Sequence, residues 1–322
     1  MQRVLVTSSF VKPGDEAHKR LQDAGLEAVF DYCEGSRTEE ELIDLLRGID
    51  GVVAGVDPFT ARVLDSAPQL KVIARVGVGY DAIDVKAATK HGVAVTINPG
   101  VNRHAVAEYA FALMLYCSRR LQESLSEVRG GGWNRHEGLD LVGRTLGIIG
   151  LGTIGKEVAQ RARAFEMRIL AVDVLRDRQF AEEHGVTYVP LEQLLRESDF
   201  VTIHSFLDAG THHMINDETL ALMKPAAYLI NTARGGLVDT AALYRALKEK
   251  RIAGAALDVF EQEPLDADSP LRELDNVYLS PHMAGSSLDA IHASALESVE
   301  NVIRRLRGER PIYTVNPEVL GR

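Results

Sequence analysis

The sequence predicts an α/β protein made of two doubly wound domains, each built around a parallel sheet. Its 322 residues exceed the length of one typical domain. Short apolar runs alternate with helical patterns along the chain, in one series before residue 100 and in a second series that begins at Leu146. A glycine-rich segment, Gly150–Gly155, joins the first strand of the second series to a helix.

The first series contains five short apolar runs, which predict buried parallel strands. These runs are Val4–Val6, Glu27–Phe30, Val52–Ala54, Val72–Ala74 and Val93–Thr96. Helical patterns between them occur at Asp15–Asp23, Glu39–Leu46, Thr60–Ser66 and Val85–His91. Asn98-Pro99-Gly100 then breaks the pattern. The next segment, Ala105–Leu115, predicts a helix that is apolar on nearly every face, so we expect it to be buried between domains or against a second subunit.

The second series contains seven apolar runs that predict strands. They are Leu146–Ile149, Ile169–Val172, Val186–Val189, Phe200–Ile203, Ala227–Ile230, Gly254–Leu257 and Val277–Leu279. Helical patterns between them include Leu191–Glu197, Asp217–Leu222 and Thr240–Lys248. A final amphipathic helix, about Leu288–Leu306, follows Pro281. We expect it to cross back, which gives a first domain of residues 1–99 and 286–322, a second of residues 100–285, and a cleft between them.

The glycine-rich segment predicts a dinucleotide site of the Rossmann type. Gly150 allows the tight turn out of the strand, Gly152 lets the backbone approach a pyrophosphate, and Gly155 lets the helix pack close to the strand. Thr153 and Ile154 lie at the helix N-terminus, where free N–H groups and the positive dipole end favour phosphate.

Asp173, at the end of the second strand of this series, is placed to accept hydrogen bonds from an adenosine ribose. Its charge would repel a 2′-phosphate, so we expect NAD rather than NADP. Arg176 is the feature that would soften this preference, unless it is simply a solvated arginine.

The composition restricts the classes of partner. A net charge of −10 argues against a general nucleic-acid or anionic-membrane surface, so an anionic substrate needs locally concentrated positive charge. The two cysteines, Cys33 and Cys117, have no CxxC spacing, which argues against a disulfide framework or a zinc site. The N-terminus lacks a signal-peptide pattern, and no apolar run has the ~20 residues of a membrane span. We therefore expect a soluble cytoplasmic protein.

Three segments of the second domain each follow an apolar strand: Asn231–Gly236, Asp258–Pro264 and Ser280–Gly285. Ligands of open α/β sheets bind outside the carboxyl ends of the strands, so these segments should converge. They supply Arg234, Glu263 and His282. Singly, these residues have ordinary explanations as a surface arginine, a loop carboxylate and a structural histidine. Together they suit hydride transfer to a 2-keto acid, because arginine clamps a carboxylate, histidine exchanges protons near neutral pH, and the glutamate favours the charged imidazolium.

These motifs resemble the D-isomer-specific 2-hydroxyacid dehydrogenase family, which includes D-3-phosphoglycerate dehydrogenase. The resemblance runs from about Val52 to Pro317, through RVGVGYDAID, NPGVNRHAVAEYAF, GLGTIG, NTARGGLVD, LDVFEQEP and SPHMAG. It implies a flavodoxin-like substrate domain and a Rossmann NAD-binding domain, in the order given above. It also implies that Arg234 binds and polarises the substrate, that Glu263 supports His282, and that His282 is the acid/base.

The resemblance implies further site residues. Thr232 and Asp258 would lie near the cofactor, and the backbone N–H groups of the glycine loop would bind the substrate carboxylate. That loop consists of Val76, Gly77, Val78 and Gly79. Arg75 precedes it, as in phosphoglycerate-type relatives, and is a candidate for a substrate phosphate.

The resemblance also has implications for assembly, and the chain departs from the family pattern in two places. Relatives build a two-fold dimer with the element equivalent to 105–115, so we expect a homodimer. Trp133-Asn134-Arg135-His136 resembles a segment that reaches the partner's cleft in some relatives, with a solvated loop as the alternative. Ser205–Gly210 departs from the family's proline-containing loop, which puts cofactor affinity or loop order in question. The chain ends at Arg322 without a regulatory domain, so we expect no feedback control by serine through one.

The leading hypothesis is an NAD-dependent D-2-hydroxyacid dehydrogenase acting on 3-phosphoglycerate. A glyoxylate or hydroxypyruvate (glycerate) reductase is the alternative within the family. A formate dehydrogenase fits less well, because its reaction needs no proton transfer and that branch carries glutamine where this chain has Glu263. A protein of another class, an NADH-sensing co-repressor or interaction protein, would bind NADH without turnover.

Overall fold

The structure is a computed structural model that describes residues 1–33 and 37–321. The chain divides into two compact units. The first unit comprises Met1–Asn102 and Ser286–Arg322, and the second unit comprises Arg103–Gly285. In the described residues no helix is both long and apolar enough to cross a membrane.

The first unit contains a five-stranded parallel sheet. Its strands are β1 (Arg3–Val6), β2 (Glu27–Phe30), β3 (Gly51–Ala54), β4 (Val72–Arg75) and β5 (Ala94–Thr96). They lie in the order β2-β1-β3-β4-β5, which is the flavodoxin-like order. The inner strand β3 and the edge strand β5 are both buried along their whole length, because helices cover both faces of a parallel sheet.

The helices of this unit start at side-chain caps. They are α1 (Glu16–Asp23), α2 (Glu39–Leu45), α3 (Ala61–Asp65), α4 (Val85–Lys90) and α12 (Leu288–Leu306). Their N-caps are Asp15, Thr38, Thr60, Asp84 and Ser287, each accepting a hydrogen bond from a first-turn N–H group. Although α12 comes last in the sequence, its residues Val299 and Val302 are buried in one cluster with β1, β3 and β4.

The second unit contains a seven-stranded parallel sheet. Its strands are β6 (Thr145–Ile149), β7 (Arg168–Val172), β8 (Val186–Tyr188), β9 (Phe200–Ile203), β10 (Tyr228–Asn231), β11 (Gly254–Leu257) and β12 (Val277–Leu279). The order is β12-β11-β10-β9-β6-β7-β8, so the strand order reverses between β6 and β9, as in a Rossmann sheet. The prediction of two doubly wound parallel-sheet domains is confirmed.

The helices of the second unit are α5 (Arg103–Ser118), α6 (Leu121–Arg129), α7 (Thr153–Ala164), α8 (Arg178–His184), α9 (Leu191–Glu197), α10 (Asp217–Leu220) and α11 (Thr240–Lys248). One face of the 105–115 helix is exposed in the single chain, so its expected burial against a second subunit stays a prediction. One face of α5 packs on β10, β11 and α7 and includes Ala110 and Met114. The other face carries Glu108 and Ala112, which are exposed, although Glu108 accepts a hydrogen bond from Arg161 of α7 at 2.9 Å.

Helix α6 has an unusual surface. Its residues are all described and none is buried. Leu121, Leu125 and Val128 lie on one helix face, at i, i+4 and i+7, and their exposed fractions are 39%, 51% and 57%. We call these three residues the α6 face.

Candidate active site

The glycine-rich loop after β6 lies at the point where the strand order reverses. Gly150 has φ +93°, and a Cβ there would be 2.6 Å from the carbonyl oxygen of His204. A Cβ at Gly155 would be 2.1 Å from the carbonyl oxygen of Gly150, so α7 packs directly against the turn. At Gly152, by contrast, no described atom lies within 4 Å of the Cβ position. The backbone there is open to an approaching ligand.

The N-terminus of α7 is free of side-chain capping. Gly152 is the N-cap residue and has no side chain to accept the first-turn N–H groups. These groups, which include those of Thr153 and Ile154, therefore suit a pyrophosphate. Asp173 follows β7, and its two carboxylate oxygens accept the N–H groups of Leu151 at 2.7 Å and Leu175 at 2.8 Å. Each oxygen keeps a second lone pair that suits a ribose hydroxyl.

Two buried polar atoms lie where β9 and β10 end. Oγ1 of Thr232 and Nδ1 of His204 have no hydrogen-bond partner among the described residues. Nε2 of His204 is 2.9 Å from Oγ1 of Thr202, and burial lowers the pKa of His204 to about 3, so its ring is neutral. Buried polar groups are normally satisfied, so these atoms and the open backbone at Gly152 fit a bound dinucleotide.

The segments after β10 and β11 are in direct backbone contact. Gly235 begins a 3-10 turn, Gly235–Leu237, and a Cβ there would be 1.8 Å from the carbonyl carbon of Phe260. Asn231 holds the turn before it, since Oδ1 accepts the N–H of Ala233 at 3.1 Å and Nδ2 donates to the carbonyl of Arg234 at 2.9 Å. The backbone of Arg234 is thereby fixed beside the segment that carries Glu263.

Glu263 and His282 form a hydrogen-bonded pair. Nδ1 of His282 is 2.7 Å from Oε2 of Glu263, whose Oε1 accepts the N–H of Phe260 at 3.0 Å. Partial burial alone would raise the pKa of Glu263. The hydrogen bond from His282 and the charges of His282 and Arg234 outweigh that effect and hold this pKa below its ordinary value. The structure thus brings all three predicted catalytic side chains together.

Asp258 anchors the histidine segment. Its carboxylate is fully buried and accepts hydrogen bonds from Oγ of Ser280 at 2.6 Å, the N–H of Met283 at 2.9 Å and the N–H of Ala284 at 2.7 Å. The N–H of His282 donates to the carbonyl of Asp258 at 2.8 Å. His282 itself has φ +49°, a conformation that side chains disfavour and that these surrounding bonds impose. In this structure Asp258 therefore positions His282.

The glycine loop of the first unit follows β4. The N–H of Val76 donates to the carbonyl of Ala54, and the N–H of Gly77 donates to Oδ1 of Asn98 at 3.0 Å. The N–H groups of Val78 and Gly79 donate to no other described residue. Of the four N–H groups predicted to bind the substrate carboxylate, these two are therefore the ones left without a partner among the described residues. The guanidinium of Arg75 folds back and donates to the carbonyl of Val76.

Two residues that support this loop, Asn98 and Ser298, were not predicted from the sequence to do so. Oγ of Ser298, on α12, donates to Oδ1 of Asn98 at 2.9 Å and to the carbonyl of Arg75 at 3.3 Å. The available signal was a polar residue on the buried side of α12, a weak signal because Ser294 and Asn301 are buried there too.

The atypical loop Ser205–Gly210 is held by its own side chains. Oδ1 of Asp208 accepts the N–H groups of Gly210 and Thr211, and Oγ1 of Thr211 donates to the carbonyl of Phe206. A further contact places Leu207 against the Gly236 backbone. The loop is ordered without the family's prolines.

The segment Trp133–His136 lies beside α6. Trp133 is 83% exposed, and Asn134 donates to Oε1 of Glu127 at 2.7 Å. Nε2 of His136 is 3.8 Å from Oε2 of Glu127, and Arg135 is exposed. In the single chain this segment is an exposed loop tied to α6.

Comparison with known proteins agrees with this geometry. Residues 111–284 match the family model for the NAD-binding domain of D-isomer specific 2-hydroxyacid dehydrogenases. A glyoxylate reductase from Korarchaeum cryptofilum is 45% identical, with 96% of this chain and 98% of that protein covered. A D-3-phosphoglycerate dehydrogenase from Methanocaldococcus jannaschii is 41% identical, with 98% of this chain and 60% of that protein covered.

Among solved structures, D-lactate dehydrogenase from Aquifex aeolicus, complexed with NAD and lactic acid, has a TM-score of 0.85 to this chain. The identity is 34%, over 97% of this chain and 99% of that one. The family model covers more than half of the residues and the relatives cover nearly all of them, so the chain belongs to the D-isomer-specific 2-hydroxyacid dehydrogenases, a family of NAD-binding oxidoreductases.

Proposed function

We propose that this enzyme reduces glyoxylate to glycolate with NADH. The observation that carries the proposal is the His282–Glu263 pair beside Arg234, a set that combines proton transfer with carboxylate recognition. The sequence alone favoured 3-phosphoglycerate. The relatives favour glyoxylate, since a glyoxylate reductase is 45% identical over nearly the whole of both chains.

His282 is proposed to be the acid/base. The carboxylate of Glu263 can only accept, so Nδ1 of His282 carries the proton of their hydrogen bond. Nε2 is then the atom that gives a proton to the developing alkoxide. Arg234 is proposed to hold the glyoxylate carboxylate and polarise its carbonyl. NADH, when bound, supplies the hydride.

The remaining site residues are proposed in binding roles. The cofactor would be held by the loop and helix start at Gly150, Gly152, Thr153, Ile154 and Gly155, together with Asp173, Thr232 and Asp258. The buried position of Asp258 assigns its carboxylate mainly to holding the His282 segment. The substrate carboxylate would be bound by the glycine loop, from Val76 to Gly79, with the donors at Val78 and Gly79.

The test is a comparison of substrates under one set of conditions. NADH oxidation is followed with glyoxylate, hydroxypyruvate and 3-phosphohydroxypyruvate, and we expect the highest kcat/KM with glyoxylate. His282→Gln should lower kcat by about 10²–10⁴-fold and leave NADH affinity nearly unchanged. Tight NADH binding without turnover of any of the three would overturn the proposal and favour an NADH-sensing interaction protein.

A phosphorylated substrate is the second candidate, because Arg75 is the last residue of β4, directly before the glycine loop, and a D-3-phosphoglycerate dehydrogenase is 41% identical. Losing a charge-assisted bond to phosphate costs about 1.5–3 kcal/mol. That is roughly a ten- to hundredfold rise in KM. If this candidate is right, Arg75→Ala raises KM for the phosphorylated substrate by that factor and leaves KM for glyoxylate nearly unchanged. Equal effects on both substrates would mean that Arg75 only shapes the loop.

NAD is proposed to be preferred over NADP. The carboxylate of Asp173 is fixed by two N–H donors, so a 2′-phosphate would meet its charge at close range. The guanidinium of Arg176 lies 5.6 Å from the ring centre of Tyr188, which gives it a stacking role of its own. A kcat/KM ratio in favour of NADPH would contradict this preference.

A homodimer in the cytoplasm is proposed as the working form. The α6 face and Trp133 expose large apolar side chains on the second unit, and such patches mark interaction surfaces. Both cysteines are free, which suits a reducing compartment.

A further inference from the structure

Two histidines and a glutamate form a cluster on the surface of the second unit, apart from the proposed catalytic side chains. The cluster consists of His212, His213 and Glu261, and one ligand atom of each lies within 4.8 Å of the others. Nε2 of His213 is 2.5 Å from Oε1 of Glu261. The two imidazole rings are stacked with their centres 3.9 Å apart and their planes at 25°.

The cluster is held in place by the backbone around it. His213 has φ +51°, and its N–H donates to the carbonyl of Gly236 at 2.9 Å. Side chains rarely adopt this conformation, although histidine is among the residues that do so most readily. Oε2 of Glu261 accepts the N–H of Thr240, the first residue of α11, at 3.1 Å. The ring of His213 and the carboxylate of Glu261 are therefore held beside each other before any ligand arrives.

We propose that His212, His213 and Glu261 bind one divalent transition-metal ion, with Zn²⁺ as the reference ion. Two imidazole nitrogens and one carboxylate oxygen are a ligand set that suits Zn²⁺ and its neighbours, whereas Mg²⁺ and Ca²⁺ prefer oxygen ligands throughout. The ion replaces the proton now shared by His213 and Glu261. Three protein ligands leave the fourth tetrahedral position to water.

Binding of a metal ion requires only small movements of the three ligand atoms. Ligand atoms about 2.0–2.1 Å from a tetrahedral Zn²⁺ lie about 3.3 Å from one another. His212 and Glu261 are exposed side chains, so they can move from the present separations without disturbing the core. The hydrogen bond between His213 and Glu261 lengthens in the process.

The ion would connect three segments of the second unit. His213 is bonded to the carbonyl of Gly236, and Glu261 is bonded to the start of α11. Arg234 lies two residues before Gly236, and Glu263 lies two residues after Glu261. Metal at this site therefore braces the segments that carry two of the proposed catalytic side chains without using either as a ligand.

The experiment measures Zn²⁺ binding to the untagged full-length protein by equilibrium dialysis, and Co²⁺ binding by its visible absorption. We expect one ion per chain at this site and a tetrahedral Co²⁺ spectrum. Loss of residues that merely orient a metal ligand costs 10–100-fold in affinity, so His212→Ala and Glu261→Gln should each weaken binding by about 100-fold. NADH binding by each variant checks that it is folded.

His91→Ala is the matched control. It removes another surface histidine paired with a carboxylate, since Nε2 of His91 is 2.7 Å from Oδ1 of Asp65, and it should leave Zn²⁺ affinity unchanged. Wild-type Zn²⁺ affinity in either His212→Ala or Glu261→Gln would overturn the proposal. Loss of Zn²⁺ binding in His282→Gln with retention in His212→Ala would overturn it too, because the ion would then belong to the His282–Glu263 pair.

Discussion

At the scale of single residues, the proposed role of Glu263 depends on its negative charge. The pKa of Glu263 is held below its ordinary value, so the carboxylate stays ionised through the neutral range. The proposed reduction of glyoxylate requires a protonated His282, because His282 would give up a proton. Glycolate oxidation needs the neutral ring.

Glu263→Gln keeps a hydrogen-bond acceptor and removes the charge. In the reducing direction, we expect the loss of kcat with rising pH to begin about one pH unit lower than in the wild type. In the oxidising direction, the loss with falling pH should also move lower. The pH–rate profiles of the variant and of an exposed control, Glu249→Gln, provide the measurement. Identical profiles in Glu263→Gln and the wild type would show that the charge has no part in proton transfer.

The grouping of the three proposed catalytic residues was predictable from the sequence because they follow apolar strands, and the carboxyl ends of parallel strands meet at one edge of a sheet. The residues that orient them were not. Asp258 bonds to Ser280 and Ala284, more than twenty positions along the chain, and Asn98 bonds to Ser298, two hundred positions along. No local pattern encodes such pairs, since each residue alone reads as an ordinary polar side chain.

At the scale of elements, two glycines of the β6–α7 turn have different roles, one in packing and one in ligand access. A methyl group at Gly155 would overlap the carbonyl oxygen of Gly150, whereas at Gly152 it would enter open space. Gly155→Ala should therefore lower the free energy of unfolding by about 1–3 kcal/mol. Gly152→Ala should keep the wild-type Tm without ligand and raise the Kd for NADH at least tenfold, because the methyl group occupies the path of the pyrophosphate.

Thermal unfolding without ligand and NADH titration of both variants test this pair. The two substitutions are chemically identical and lie three residues apart, so each is the control for the other. A large loss of Tm in Gly152→Ala, or unchanged NADH affinity there, would contradict the proposed pyrophosphate position.

The elements themselves were predicted well where burial sets the pattern. Strands covered on both faces appear as short apolar runs, and the expected β9, Phe200–Ile203, and β11, Gly254–Leu257, coincide with the observed ones. Helix α6 was not predicted, because its apolar residues face outward and form no core-facing stripe. Composition alone could not say which face of α5 meets the sheet, and the expected burial of its other face against a second subunit stays a prediction.

At the scale of the whole molecule, the α6 face is the proposed contact between two copies. We expect the wild type to have about twice the 35.3 kDa chain mass in light scattering. Leu125→Glu with Val128→Glu places two charges on this face, and burying unpaired charges is costly, so the double variant should be monomeric at micromolar concentration. Ile312→Glu, at a position with 45% exposure in the first unit, is the control and should remain dimeric. A monomeric wild type would contradict the proposed dimer. A dimeric double variant would show that the two copies contact each other through another surface.

The path of the chain also predicts which fragments fold. The second unit is continuous from Arg103 to Gly285, so a fragment of these residues should unfold cooperatively and bind NADH. Residues 1–102 should not fold alone, because Val299, Val302 and Ile303 of α12 are buried against their sheet. Burial of one such side chain stabilises by about 1.5–3 kcal/mol. Three of them approach the whole stability of a typical domain, about 5–15 kcal/mol.

A third fragment makes this prediction specific to α12. Asn98 is hydrogen-bonded to Glu297 and Ser298, which lie about 15 Å along α12 from its first residue, Leu288, so a flexible Gly/Ser linker of about ten residues from residue 102 to residue 286 can join the two parts of the first unit. This linked fragment should regain a cooperative transition in circular dichroism, and the same fragment with Val299→Asp and Val302→Asp should lose it. A cooperative transition in residues 1–102 alone would show that the five-stranded sheet does not depend on the returning helix.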